Sequence, residues 1–144
     1  MEDKSQEELQ QIVMELRRAQ QNLEILQNQS ELLKNSISEV ESTKETLNGI
    51  KEVEPGTELL VPIGSGSFLP VEVKDPERIL SDLGADLVAE RTPEKVTKLI
   101  DKQKKDLEEM LEETNNKIEE LSEKIEELRP KAQELMSQAQ SETG

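Results

Sequence analysis

The sequence predicts a mainly α chain with a small β part: a long antiparallel two-helix coiled coil whose helices are joined by two β-hairpins. Three observations carry this. Two long heptad-patterned stretches flank a middle segment, and that segment, from Gly49 to Thr92, holds short alternating runs of Leu, Val and Ile broken by Gly and Pro. The composition, 35% charged against 32% hydrophobic with one Phe and neither Trp nor Tyr, suits charged helices and leaves little aromatic material for a thick globular core.

The first helix is read over residues 5–49. Leu9, Ile12, Leu16, Ala19, Leu23, Leu26, Leu33, Ile37, Val40 and Leu47 follow alternating steps of three and four, with Ser30 and Lys44 the polar members of that register. Ser5 followed by Glu8 fits a capping box at its start, and Gly49 after Asn48 fits a left-handed turn at its end. The second helix is read over residues 93–140, with Thr92 as N-cap and Pro93 in the first helical position. Its seam runs Val96, Ile100, Gln103, Leu107, Leu111, Thr114, Ile118, Leu121, Ile125, Leu128, Ala132, Leu135 and Ala139, with a stutter at Gln103, Leu107 and Leu111. Pro130 removes a donor from the pattern and is expected to kink or loosen the helix. Two stretches of similar length on either side of a compact insert imply an antiparallel arm of one domain, residues 1–144.

Residues 50–92 read as two hairpins: Glu58–Ile63 and Phe68–Val73 around Gly64-Ser65-Gly66-Ser67, then Arg78–Leu83 and Asp86–Glu90 around Gly84-Ala85. Alternation puts Leu59, Val61 and Ile63 on one face, and Leu69, Val71 and Val73 on one face of the following strand. Isolated hairpins are marginal in water, and four short strands at the end of a narrow stalk cannot cover their edges and apolar faces. The expectation is an oligomer assembled through Leu59, Val61, Ile63, Phe68, Leu69, Val71, Val73, Ile79, Leu83 and Leu87.

Net charge of -15 excludes a phosphate backbone or an anionic membrane as an expected partner. The absence of His and Cys excludes the usual zinc sites and any disulfide, and no stretch approaches a membrane span, so the expected address is the cytoplasm. Gly64-Ser65-Gly66-Ser67 lacks the Lys and the following helix of a phosphate-binding loop. The paired glutamates such as Glu108-Glu109 and Glu119-Glu120 recur on helix faces, where nothing tunes them for acid–base work. Neither enzyme activity nor a cofactor or metal is expected.

An order of helix, then Gly56 to Val73 with Val61-Pro62-Ile63-Gly64 inside it, then Ile79 to Glu90 around Asp82-Leu83-Gly84, then helix, resembles the prefoldin family, alpha type and archaeal. The resemblance covers nearly the whole chain, and two hairpins rather than one favour the alpha type. It implies an ATP-independent holdase in which two alpha and four beta-type subunits, hence also a second copy of this chain, join their hairpins into a β-barrel base. It further implies that non-native client proteins are held at the arm tips and handed to a group II chaperonin. For client contact the residue pattern nominates Leu9, Ile12, Val13, Met14, Ala132, Leu135 and Met136: Val13, Met14 and Met136 lie off the seam, the others on it. Ile25 and Leu32, also off the seam, read as helix formers on a solvated face. Two other functions fit the same pattern, a structural tether without client binding and a filament-forming homo-oligomer.

Overall fold

The computed structural model describes residues 2–143, in the order α1 (Glu2–Lys51), β1 (Glu58–Gly64), β2 (Ser67–Glu72), β3 (Ile79–Gly84), β4 (Leu87–Arg91) and α2 (Pro93–Thr143). The chain divides into two compact units, a helical unit of Met1–Asn35 with Glu108–Gly144 and a hairpin unit of Ser36–Leu107.

In the helical unit the three-and-four spacing turns one apolar stripe of each helix inward. Ala19, Ile125, Leu128 and Ala132 are buried, and Leu16, Leu23, Leu26, Leu111, Ile118 and Leu121 are half-buried beside them. Ser30, polar within this seam, is only 4% exposed. Its Oγ donates a hydrogen bond of 3.2 Å to Oδ1 of Asn115 on the other helix, which answers the cost of burying a hydroxyl. The α2 helix continues through Pro130, with Leu128 and Ala132 both buried. Seam packing on both sides of the proline holds the helix where the missing N–H would weaken it.

In the hairpin unit Val40, Leu47 and Ile100 form the buried cluster, with Ile79, Val96 and Leu107 packed against it. Lys44 spans the helices to Asp101 at 2.7 Å, and Lys104 reaches Glu41 at 3.1 Å. Lys104 rather than Gln103 is the half-buried residue at this level, so the double step of four falls at Val96, Ile100 and Lys104, not at Gln103, Leu107 and Leu111. A lysine can occupy such a site because its stem is apolar while its ammonium reaches a carboxylate.

The helix ends differ from the sequence reading in three places. The α1 helix is already formed at Glu2 and passes through Ser5, so Ser5 is no cap. It also passes through Gly49 to Lys51, and leaves by short bonds from Glu52 N–H to Gly49 C=O and from Val53 N–H to Ile50 C=O, both 3.2 Å. The left-handed glycine is Gly56, φ 89°, in the turn Glu54-Pro55-Gly56-Thr57. Proline second and a positive-φ glycine third is what a type II turn requires, and Thr57 N–H closes it onto Glu54 C=O at 3.1 Å. At the other junction Thr92 Oγ1 accepts from Lys95 N–H at 3.3 Å and Pro93 opens α2, as capping chemistry dictates. The α2 helix runs to Thr143, three residues past the end read from the pattern.

Candidate functional site

Two separate antiparallel two-stranded sheets make up the strand part, β1 with β2 and β3 with β4. Both hairpins are built alike. The pairs Pro62↔Phe68 and Gly64↔Ser67 leave Ile63 as an extra residue, and Asp82↔Val88 with Gly84↔Leu87 leave Leu83 in the same place. Each bulge leads into a Gly at positive φ followed by a two-residue turn, Ser65-Gly66 (φ 52° and 74°) or Ala85-Asp86 (φ 51° and 62°). Two successive positive φ values define the turn whose twist matches a hairpin. The turns are thus shorter than Gly64–Ser67 and one residue later than Gly84-Ala85. Asp82 Oδ1 fixes the second by accepting from Gly84 N–H at 2.8 Å.

Residues directly opposite share a face. In the first hairpin Leu59, Val61, Leu69 and Val71 form one face, while Leu60, Pro62, Phe68 and Pro70 form the other. Both faces are apolar. Leu59, Val61 and Leu69 are 37%, 42% and 51% exposed, and Leu60, Ile63 and Phe68 more so. The bulge ends the alternation before Ile63, which therefore does not simply extend the row of Leu59 and Val61. Val73 lies just beyond β2, half-buried, bonded through its backbone to Gly56 and Thr57.

The second hairpin is two-sided. Ile79, Ser81, Ala89 and Arg91 share a half-buried face, and Ile79 packs against the Val40, Leu47 and Ile100 cluster of its own chain. The helix ends thus supply Ile79 with a layer that a bare stalk was not expected to offer. Leu83 and Leu87 stay exposed, together with Leu80 and Val88. Leu60, Leu80 and Val88 were missed as assembly candidates. For Leu60 the signal was there, since it shares its row with Pro62, Phe68 and Pro70; Leu80 and Val88 share theirs with Asp82 and Glu90, which hides them from alternation. Arg78 reaches Oε1 of Glu90 through Nε at 2.7 Å and through its terminal nitrogen at 2.5 Å. The hydrogen bond to Glu90, then the charge of Glu90, raise the guanidinium pKa above its ordinary value. Any stability from this pair is present below the unfolded arginine value and lost only as pH rises through the raised one, so Arg78 stays cationic at working pH.

At the end of the helical unit bearing the chain termini, Val13, Met14 and Met136 are 36%, 65% and 51% exposed. Leu9, Ile12 and Leu135 are half-buried seam residues beside them. Ala132 is a buried seam residue, 6% exposed. Among the described residues no cluster of three or more His, Cys, Asp or Glu could hold a metal ion. No helix is long and apolar enough to cross a membrane.

Two long helices joined through two exposed apolar hairpins define a class of protein that works by contact. The chain belongs to the prefoldin family: the family model for a prefoldin subunit matches residues 19–138. The prefoldin subunit alpha of Methanopyrus kandleri is 39% identical over 107 residues, which is 74% of this chain and 68% of that protein. The prefoldin subunit alpha of Methanosarcina acetivorans is 33% identical over 110 residues, covering 74% and 78%. A cryo-EM structure of filamentous PFD from Methanocaldococcus jannaschii superposes with a TM-score of 0.70 at 26% identity, over 80% of this chain and 95% of that one. The prefoldin beta subunit from Thermococcus strain KS-1 shares the fold alone, with a TM-score of 0.57 at 18% identity, over 88% of this chain and 90% of that one. Membership supports a chaperone-type role for the chain.

Proposed function

We propose that the chain is a subunit of an ATP-independent holdase. Two copies join four beta-type subunits through their hairpins into a barrel base in the cytoplasm, and the helical units hold non-native proteins for transfer to a group II chaperonin. The observation that carries this is the placement of exposed Val13, Met14 and Met136 at one end of a two-helix unit whose seam is otherwise closed. Flexible methionine side chains on an exposed apolar surface suit clients of many sequences. Leu9, Ile12 and Leu135, half-buried, adjoin that surface. Assembly rests on the first hairpin, whose two apolar faces have no cover within the chain, and on Leu83 and Leu87.

Deleting residues 1–14 and 130–144 is expected to leave the native mass of the assembly reduced only by the deleted segments and to abolish suppression of aggregation of a chemically unfolded protein. Retained suppression would move client binding elsewhere on the helices. A second reading is supported by the likeness to filamentous PFD: the hairpins propagate with copies of themselves. Native mass spectrometry of the complex isolated with this chain separates the two. A closed particle of two copies with four shorter subunits supports the holdase, and an open homopolymer supports the filament.

A further inference from the structure

The side chains that a peroxide attacks are confined to one residue type in this chain. It has no Cys, Trp, Tyr or His, and four Met. Met1 lies outside the described residues, and Met14, Met110 and Met136 are 65%, 52% and 51% exposed. None of these three is on a seam, where the apolar positions are Leu, Ile, Val and Ala. The thioether sulfur is the nucleophilic atom of an otherwise apolar side chain, and exposure lets an oxidant reach it without opening the fold. Position separates the three. The hydrogen bond from Ser30 to Asn115 fixes the level at which the two helices meet. From that level Met14 and Met136 lie roughly 24 and 32 Å toward the end that carries the chain termini, and Met110 lies roughly 8 Å the other way.

We propose that Met14 and Met136 form a reversible oxidation site, through which a peroxide loosens the hold on clients without unfolding the chain. This rests on the reading of that end as the client-contacting surface. The sulfur lone pair attacks one oxygen of hydrogen peroxide. An S–O bond forms, the O–O bond breaks, and the departing hydroxide takes the proton of the transferred oxygen and leaves as water. Sulfur is oxidised by two electrons and the peroxide is reduced. The sulfoxide is a polar hydrogen-bond acceptor that holds water, so covering it with an apolar client segment carries the penalty of an unpaired polar group. The seams lose nothing, because no described methionine contributes to them. Enzymatic reduction by a dithiol reverses the change: the sulfoxide oxygen leaves as water and the dithiol becomes a disulfide. A cysteine switch is closed to this chain, and oxidation of Met110 falls away from the client surface.

For the test, the 144-residue chain is treated with hydrogen peroxide, freed of it, and assembled with its untreated partner subunits. Mass spectrometry counts one oxygen for each methionine oxidised. The readout is suppression of aggregation of chemically unfolded lysozyme, each protein being compared with its own untreated form. Treatment is expected to raise the concentration needed for half suppression about threefold. The native mass of the assembly should change only by the added oxygens, the thermal unfolding midpoint should hold, and a sulfoxide reductase with a dithiol should restore suppression. Leu keeps the apolar volume of Met and has no sulfur to oxidise. In Met14→Leu with Met136→Leu, treated and untreated samples should therefore match, whereas Met110→Leu should still lose about threefold. Treated chain that suppresses as well as before, a Met14→Leu with Met136→Leu chain that still loses suppression, or a midpoint that falls with treatment would overturn the proposal. An untreated assembly that suppresses nothing would overturn the client reading as well, so the two failures are told apart.

Discussion

A seam residue contributes according to the apolar surface it removes from water and the hole its removal leaves. Leu47, 5% exposed within the Val40 and Ile100 cluster, should therefore lose about 2–4 kcal/mol on substitution by Ala. Ser30 is buried as deeply, but Ser30→Ala removes one neutral hydrogen bond whose acceptor, Asn115, is exposed and can take water instead. Its cost is expected at about 1 kcal/mol or less. Urea denaturation of both variants checks the order, and a Ser30→Ala loss equal to that of Leu47→Ala would show that the polar pair sets helix register. Such pairs mark the reach of periodicity. It put Ser30 and Lys44 on the seam, where they are, but said nothing of Asn115, which lies one residue off it, or of Asp101. It also chose Gln103 over Lys104, because a spacing rule does not know that a lysine stem can lie half-buried while its ammonium finds Glu41.

Elements were legible where one local cause decides them, and misread where two compete. Both helices and both hairpins follow from heptads and alternation. The end of α1 does not, because Gly49 and Gly56 both offered a stop and only Gly56 follows a proline in the order a type II turn needs. Hairpin faces were half legible, since one apolar row was read and the second row, with Leu60, Leu80 and Val88, was passed over. The shared bulge gives a direct test. Gly84 has φ 86° and open space where a Cβ would go, so Gly84→Ala carries only backbone strain. A loss of about 1 kcal/mol is expected in thermal unfolding. A loss several times larger would mean that the turn is packed against another subunit. Pro130 tests the helices in the opposite direction. The α2 helix runs through it without its N–H, so Pro130→Ala should increase amide protection over residues 126–134, by up to about 3 kcal/mol. Unchanged protection would show that seam packing alone holds the last turns.

For the whole molecule, charge sets two effects against each other. The ion pairs Lys44–Asp101, Lys104–Glu41 and Arg78–Glu90 join substantially exposed groups, and surface pairs of that kind contribute little. Against them stands the mutual repulsion of a net charge of -15, spread over many pairs of groups far apart. Salt acts differently on the two. Raising ionic strength from about 0.01 M to about 0.15 M shortens the screening length from about 30 Å to about 8 Å. Contacts at 2.5–3.1 Å lie inside both lengths and are little affected, whereas repulsion across tens of ångströms is largely removed. Salt should therefore stabilise the chain, raising the midpoint of thermal unfolding by several degrees over that range as read by circular dichroism. It should also ease assembly, since apolar hairpin faces gain from salt while acidic copies repel less. A midpoint that falls with salt would mean that the contact pairs outweigh the diffuse repulsion, and that the acidic helix flanks act through specific partners.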